Sequence, residues 1–165
     1  MGLQIRKYLA GNMLKKTGLR PAQAADSQSI YAMMKALAVE VGDESRFSAR
    51  HADVVAAAFT EAPEYQVILA ELDGQIVGLV TYFPIYSTYK GRDYLHVDNL
   101  YVTPAARQHG IARQLLDEVI KIAQQNSYFR IELRVRDDCP ARSFYEAIGM
   151  QLNAEVLYRL DLEEK

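Results

Sequence analysis

Apolar residues recur at helical spacing between Asp26 and Gly42, at Ile30, Met33, Met34, Leu37, Ala38 and Val41, while Gln28, Lys35 and Glu40 fall off that stripe. The spacing predicts a helix capped by Asp26 and stopped at Gly42. Before it, Leu19 and Arg20 read as the end of a short strand closed by Pro21. After it, Ser48 is placed to cap a second helix that turns Ala52, Val55, Ala56 and Phe59 inward and breaks at Pro63. From Tyr65 the period changes to two. Tyr65 to Leu72 and Gln75 to Ile85 are rich in Val, Ile, Leu, Tyr and Phe, and the Asp73-Gly74 pair between them is a hairpin signal. The connection from Ser87 to Asp93, with Gly91 inside it, leads into a further strand over Tyr94 to Val102.

Pro104 cannot continue a ladder, and Gly110 opens a helical pattern whose apolar face is Ile111, Leu115, Leu116, Val119, Ile122 and Ala123. Phe129 to Val135 reads as the next strand. Pro140 sits where a first helical turn tolerates it, and Ala141, Phe144, Tyr145 and Ile148 share one face until Gly149. Gln151 to Leu162 reads as a last strand. The order β-α-α-β-β-β-α-β-α-β predicts an α+β fold: a mixed, mostly antiparallel central sheet with helices on both faces.

At 165 residues the chain fits one domain, and half of its residues are hydrophobic. The expected organisation is a single domain over 17–165 behind an extension, 1–16, of unreadable role. The net charge of -2 argues against a nucleic-acid surface. The single cysteine, Cys139, has no partner for an internal disulfide, so a reducing cytoplasm is the expected location. The first sixteen residues hold no apolar run of signal-peptide kind, no stretch could span a membrane, and Arg6 stands where a myristoylation motif wants Ser or Thr.

The segment from Tyr94 to Leu116 carries the chemistry. The first amides of a helix have no intrahelical partner and sit at the positive end of its dipole, so main-chain N–H groups around Gln108 to Ala112 can hold an anion. Arg107 adds a charge beside them. Gly110 has no Cβ and Ala112 only a methyl, which lets a bulky pyrophosphate approach. A dinucleotide fold is disfavoured, because Gly110 belongs to no triple-glycine fingerprint.

Arg107, Gly110 and Ala112 match the pattern Arg or Gln, two residues, Gly, one residue, Gly or Ala. That pattern resembles the acetyl-CoA signature of the Gcn5-related N-acetyltransferases (GNAT), whose element order is also the one read above. In detail the stretches LRPAQAADSQSIYAMMKALAVE, YLHVDNLYV and ARSFYEAIGM are similar to the diamine acetyltransferase branch. The resemblance implies an acetyl-CoA-dependent N-acetyltransferase in which a small amine, such as a polyamine or a lysine-like compound, attacks the bound thioester directly. It implies acetyl-CoA as co-substrate and no metal. It leaves open a peptide or protein amine as acceptor, a non-catalytic CoA-binding module, and pairing of two copies into a homodimer.

By the same resemblance, the pyrophosphate would lie on Arg107, Gln108, His109, Gly110, Ile111 and Ala112, and the pantetheine arm would add like a strand along Leu100, Tyr101 and Val102. A backbone N–H near Leu100 or Tyr101 would face the thioester oxygen. Asn99 is the expected bulge residue that splays the strands. Tyr145, four residues after Ala141, resembles the tyrosine that faces the CoA sulfur and returns a proton to it. Asp138 stands where the family often has an asparagine against pantetheine, and an ionised aspartate cannot donate there.

An amine with a pKa like that of lysine is almost wholly ammonium at pH 7, so a base must take its proton. Asp98 is the first choice, where the diamine branch usually carries a glutamate; His96 is the second, because its ordinary pKa suits a base at neutrality. For the acceptor's cation, the candidates are the tyrosines 82, 86, 89 and 94 and the carboxylates of Glu40, Asp43 and Glu44.

Overall fold

A computed structural model describes residues 17–162. The expected extension over 1–16 lies outside the described residues. The chain falls into two compact units that adjoin in sequence between Arg134 and Val135.

In the first unit a five-stranded sheet runs in the order β1 (Thr17–Pro21), β2 (Gln66–Leu72), β3 (Gln75–Ser87), β4 (Arg92–Val102) and β5 (Ile131–Leu133). The first three pairings are antiparallel and β4–β5 is parallel. The Asp73-Gly74 turn forms as read, with φ of 53° and 79°, the left-handed pair that a tight two-residue hairpin requires. The β3–β4 hairpin is longer than its pattern suggested, because the ladder continues to Ser87 and Arg92.

Helices α1 (Ser27–Glu40) and α2 (His51–Ala58) cover one face of this sheet. Ile30 and Met33 of α1 and Val54 of α2 close a core with Val67, Leu69, Leu79 and Tyr101. Helix α3 (Ile111–Gln125) covers the other face and buries Ile111, Leu115, Leu116, Val119 and Ala123, with Leu115 packed over Gly78. Helices thus stand on both faces, as the alternation of the strands required.

Three local expectations change. Asp26 precedes α1 but does not cap it: its carboxylate accepts from the Gln23 amide and from the Arg20 guanidinium, at 2.8, 2.6 and 2.9 Å. Arg20 also binds Glu71 at 2.8 Å, so this cluster ties β1 and β2 to the start of α1; the guanidinium holds the Asp26 carboxyl below its ordinary range. Helix α2 starts from Arg50, not Ser48, with Asp53 accepting from the Arg50 amide at 2.7 Å. Its buried residue is Val54, and Val55 is exposed. His51 decides that rotation, bonding Ser27 Oγ at 3.0 Å and packing on Tyr31. The fifth strand is cut from seven expected residues to three, because only Leu95, His96 and Val97 of β4 pair with it.

The second unit contains α4 (Arg142–Ala147). It ends as expected at Gly149, whose N–H meets Glu146 O while Met150 N–H reaches back to Tyr145 O, both at 3.0 Å. The last strand read over Gln151 to Leu162 does not form: these residues have no regular structure. Leu152, Val156, Tyr158, Leu160 and Leu162 are exposed. The alternating pattern is present, but a strand exists only against a partner edge, and among the described residues this segment pairs with none.

Candidate active site

The site is built where β4 loses its regular neighbours. Thr81 pairs with Asn99 and Tyr82 with Val97, so Asp98 is the extra residue of a bulge and points to solvent. The expected bulge residue, Asn99, is instead the anchor beside it. Its backbone N–H and its Nδ2 donate to Thr81 Oγ1 at 3.0 and 2.9 Å, and Nδ2 also donates to Asp98 Oδ2 at 3.0 Å. The result is a carboxylate held on a rigid strand with its remaining lone pairs free for a ligand.

His96 lies on the same face of the sheet, 9 % exposed, its ring 5.2 Å from that of Phe83. Burial pushes the imidazole below its ordinary pKa; the charges of Asp98 and Glu132 oppose that shift and Arg134 adds to it. Burial also raises the Tyr65 phenol, as does the charge of Asp98. Tyr65, Phe83 and Thr81 are site residues that sequence reasoning missed. Nothing in the chain marks them, since only the bulged register brings Thr81 opposite Asn99.

The lowered pKa of His96 has a measurable consequence. Between it and the ordinary 6.5 the folded protein binds fewer protons than the unfolded chain, so this contribution to stability is complete above 6.5 and is lost as pH falls below it. The His96 resonance is expected to titrate below pH 6.5 by NMR, and lower still in Asp98→Asn, which removes a raising charge. An unchanged midpoint in that variant would show that the two groups do not interact.

Beyond Val97 no strand among the described residues takes the outer edge of β4, which leaves main-chain groups of Leu100 and Tyr101 available there, while Val102 O accepts from Arg107. Next along the chain, Gln108 and Gly110 adopt φ of 64° and 71°, and Gly110 is the left-handed residue from which α3 starts. The first intrahelical bond runs from Gln114 N–H to Gly110 O at 3.0 Å. The amides of Ile111, Ala112 and Arg113 therefore have no helical acceptor and face outward along the axis. His109 folds back on its own loop, Nδ1 donating to Arg107 O at 2.8 Å.

Arg107 is engaged differently from the expectation. Its Nε donates to Val102 O at 2.9 Å, its terminal nitrogen pairs with Glu40 at the end of α1 at 2.5 Å, and its guanidinium lies 5.8 Å from the Tyr101 ring centre. The side chain thus fastens α1 to the end of β4, beside the free amides at the start of α3.

The remaining candidates scatter. Tyr82 points to the α3 face, Tyr86 and Tyr89 are 63 % and 99 % exposed, and Tyr94 packs edge-on to Phe129 with the Arg130 guanidinium 4.7 Å from its own ring. Asp43 lies 3.9 Å from Arg46. In the second unit Asp138 accepts from Arg136 Nε at 3.1 Å. Burial, with a smaller contribution from Cys139, pushes the Tyr145 phenol up to about 12.

A carboxylate on a bulged strand, an open strand edge and a ring of free amides form a run from residue 98 to 113. Residues 29–150 match the profile of the Acetyltransferase (GNAT) family, a match that extends over both units. The chain belongs to that family. It is an N-acetyltransferase that takes its acetyl group from acetyl-CoA and passes it to an amine. Similar proteins include thialysine N-epsilon-acetyltransferase of Bos taurus, 30 % identical over 81 % of this chain and 83 % of that protein. The Mus musculus enzyme of the same name is 26 % identical over 84 % and 86 %. A predicted acetyltransferase of Clostridium acetobutylicum, solved with acetyl-CoA, shares the fold with a TM-score of 0.74 at 21 % identity, covering 88 % of this chain and 96 % of that one. No helix among the described residues of this acetyltransferase is long and apolar enough to cross a membrane, and no cluster of metal-ligating side chains occurs among them.

Proposed function

We propose that this acetyltransferase acts on the terminal amine of a small lysine-like or diamine acceptor. The observation that carries this reading is the similarity, over four fifths of both chains, to an enzyme named for thialysine, a compound with a lysine-like side-chain amine. The exposed Asp98 suits such an acceptor, because a carboxylate both attracts an ammonium and can take its proton.

In this reading CoA lays its pyrophosphate over residues 107–112 and its pantetheine along Leu100 to Val102. The ammonium gives a proton to Asp98, directly or with His96 or a water between. The freed nitrogen lone pair attacks the thioester carbon, the carbonyl oxygen becomes an oxyanion beside the N–H of Leu100 or Tyr101, and the C–S bond breaks as that oxyanion collapses to the amide. The electron pair leaves on sulfur. A phenol at about 12 stays protonated throughout the working range, so Tyr145 serves as a hydrogen-bond donor to the developing thiolate. Asp138 accepts a hydrogen bond from a pantetheine amide. We further propose a cytoplasmic enzyme, able to pair into a homodimer and without a nucleic-acid partner.

Thiol release from acetyl-CoA, measured with thialysine, lysine, diamines, polyamines and a peptide amine in parallel, tests the proposal. Turnover confined to the peptide would overturn it. A subsidiary expectation concerns Arg107. Its pairing with Glu40 competes with a phosphate for the same guanidinium, so Glu40→Gln is expected to tighten CoA binding by up to about fivefold, the scale of one exposed ion pair. Weaker binding in calorimetry would instead mean that Glu40 holds Arg107 in place for the donor.

A further inference from the structure

A cavity lies at the Pro21 and Gln66 ends of β1 and β2 and reaches both faces of the sheet. It has a volume of about 370 Å3, within the roughly 300–1,000 Å3 usual for small-ligand sites. On the α3 side it is lined by Leu19, Ile68, Tyr82, Glu118 and Ile122, and on the α1–α2 side by Phe59 and by Arg20, whose guanidinium is already held by Asp26 and Glu71. Residues alternate along β3: Leu79 joins the core under α1, and Phe83 meets the His96 ring. Tyr82, one residue from Phe83, therefore projects to the α3 side.

Tyr82 is only 6 % exposed, and its hydroxyl has no hydrogen-bond partner among the described residues. No side-chain oxygen among them is both sealed from solvent and unpartnered. The Tyr82 hydroxyl must therefore open into the cavity that the residue lines. Glu118 is the carboxylate at the same wall, and its charge is one cause of the raised phenol pKa, after burial and Tyr128. Its partner, Lys121, is bound at 2.9 Å but is 63 % exposed, an exchangeable surface pair.

We propose that this cavity is a second ligand site, one that takes the ammonium group of a short alkylamine and has no part in the transfer reaction. An ammonium has three donors and a positive charge. The wall offers a carboxylate that only accepts and a hydroxyl that can accept, while Leu19, Pro21, Ile68 and Ile122 meet the alkyl chain. An anion would be repelled by Glu118, and a neutral alcohol would forgo the charge. Its polar wall, Tyr82 and Glu118, lies on the face of the sheet opposite His96, so an ammonium bound there is a modulator, whichever acceptor is acetylated.

The test is an NMR titration of the full chain with n-butylammonium in the absence of acetyl-CoA. Saturable amide shifts at Ile68, Glu118 and Ile122 are expected. n-Butanol, Glu118→Gln and Tyr82→Phe should each weaken that binding, the first two by about tenfold. Lys121→Ala, which removes the competing cation, should tighten it. The proposal is overturned if the saturable shifts are confined to the surroundings of His96 and Asp98, or if butanol binds the wild-type chain as well as butylammonium does. The comparison of these two ligands needs no variant and decides the matter even if a substitution impairs folding.

Discussion

Asp98→Ala is expected to lower kcat about a hundredfold while the Kd for acetyl-CoA stays within about twofold. The magnitude is the lower end of what a positioned general base contributes, roughly 10²–10⁴. The donor should be indifferent because the contacts proposed for it lie further along the chain, on residues 100–102 and the amides of 107–112. The fold should be indifferent as well: Asp98 is a bulge residue without a ladder partner, exposed, and its side-chain bond from Asn99 Nδ2 is redundant with the two that Asn99 makes to Thr81. Stopped-flow or steady-state thiol release alongside calorimetry of CoA binding separates the two quantities. If kcat in Asp98→Ala stays near the wild-type value while His96→Gln loses it, the imidazole is the base. If CoA affinity falls in parallel with rate, Asp98 positions the donor and is not a proton acceptor.

Leu115→Ala is expected to cost about 3–4 kcal/mol, within the roughly 2–5 kcal/mol range for emptying a buried leucine position. Leu115 is 0 % exposed and sits over Gly78, so the strand beneath offers no side chain to move into the space. With about 2–4 °C lost per kcal/mol for a chain of this size, the melting midpoint should fall by roughly 10 °C. This helix also carries the free amides of Ile111 to Arg113, and saturating CoA is expected to recover part of the lost stability by mass action. A loss under about 1 kcal/mol would mean that α3 packs on the sheet less closely than its position over Gly78 requires.

Much of this protein was legible in one dimension because its signals are local. The Asp73-Gly74 turn, the helical period from Ile111 to Ala123 and the left-handed Gly110 at the start of α3 each depend on a residue and its near neighbours. So do the free amides at the start of α3, which follow from backbone geometry alone. Readings that failed depended on a partner elsewhere. The inward face of α2 was set by His51 reaching Ser27, and Val54 rather than Val55 became the buried residue. The segment from Gln151 to Leu162 carries a strand's alternation with no edge to pair against among the described residues.

The site divides along the same line. The chain itself named the residue types: a carboxylate and an imidazole two positions apart on a strand, then glycine and alanine at a helix start. Tertiary structure decided their roles. The register between β3 and β4 made Asp98, not Asn99, the residue expelled from the ladder, because Thr81 supplies an oxygen to which Asn99 is bound twice. The approach of α1 engaged Arg107 with Glu40, 67 positions away, before any phosphate could reach it. Periodicity and turn chemistry act between neighbours and can be read from the chain, whereas register and ion pairing choose among distant partners and exist only once the sheet has closed.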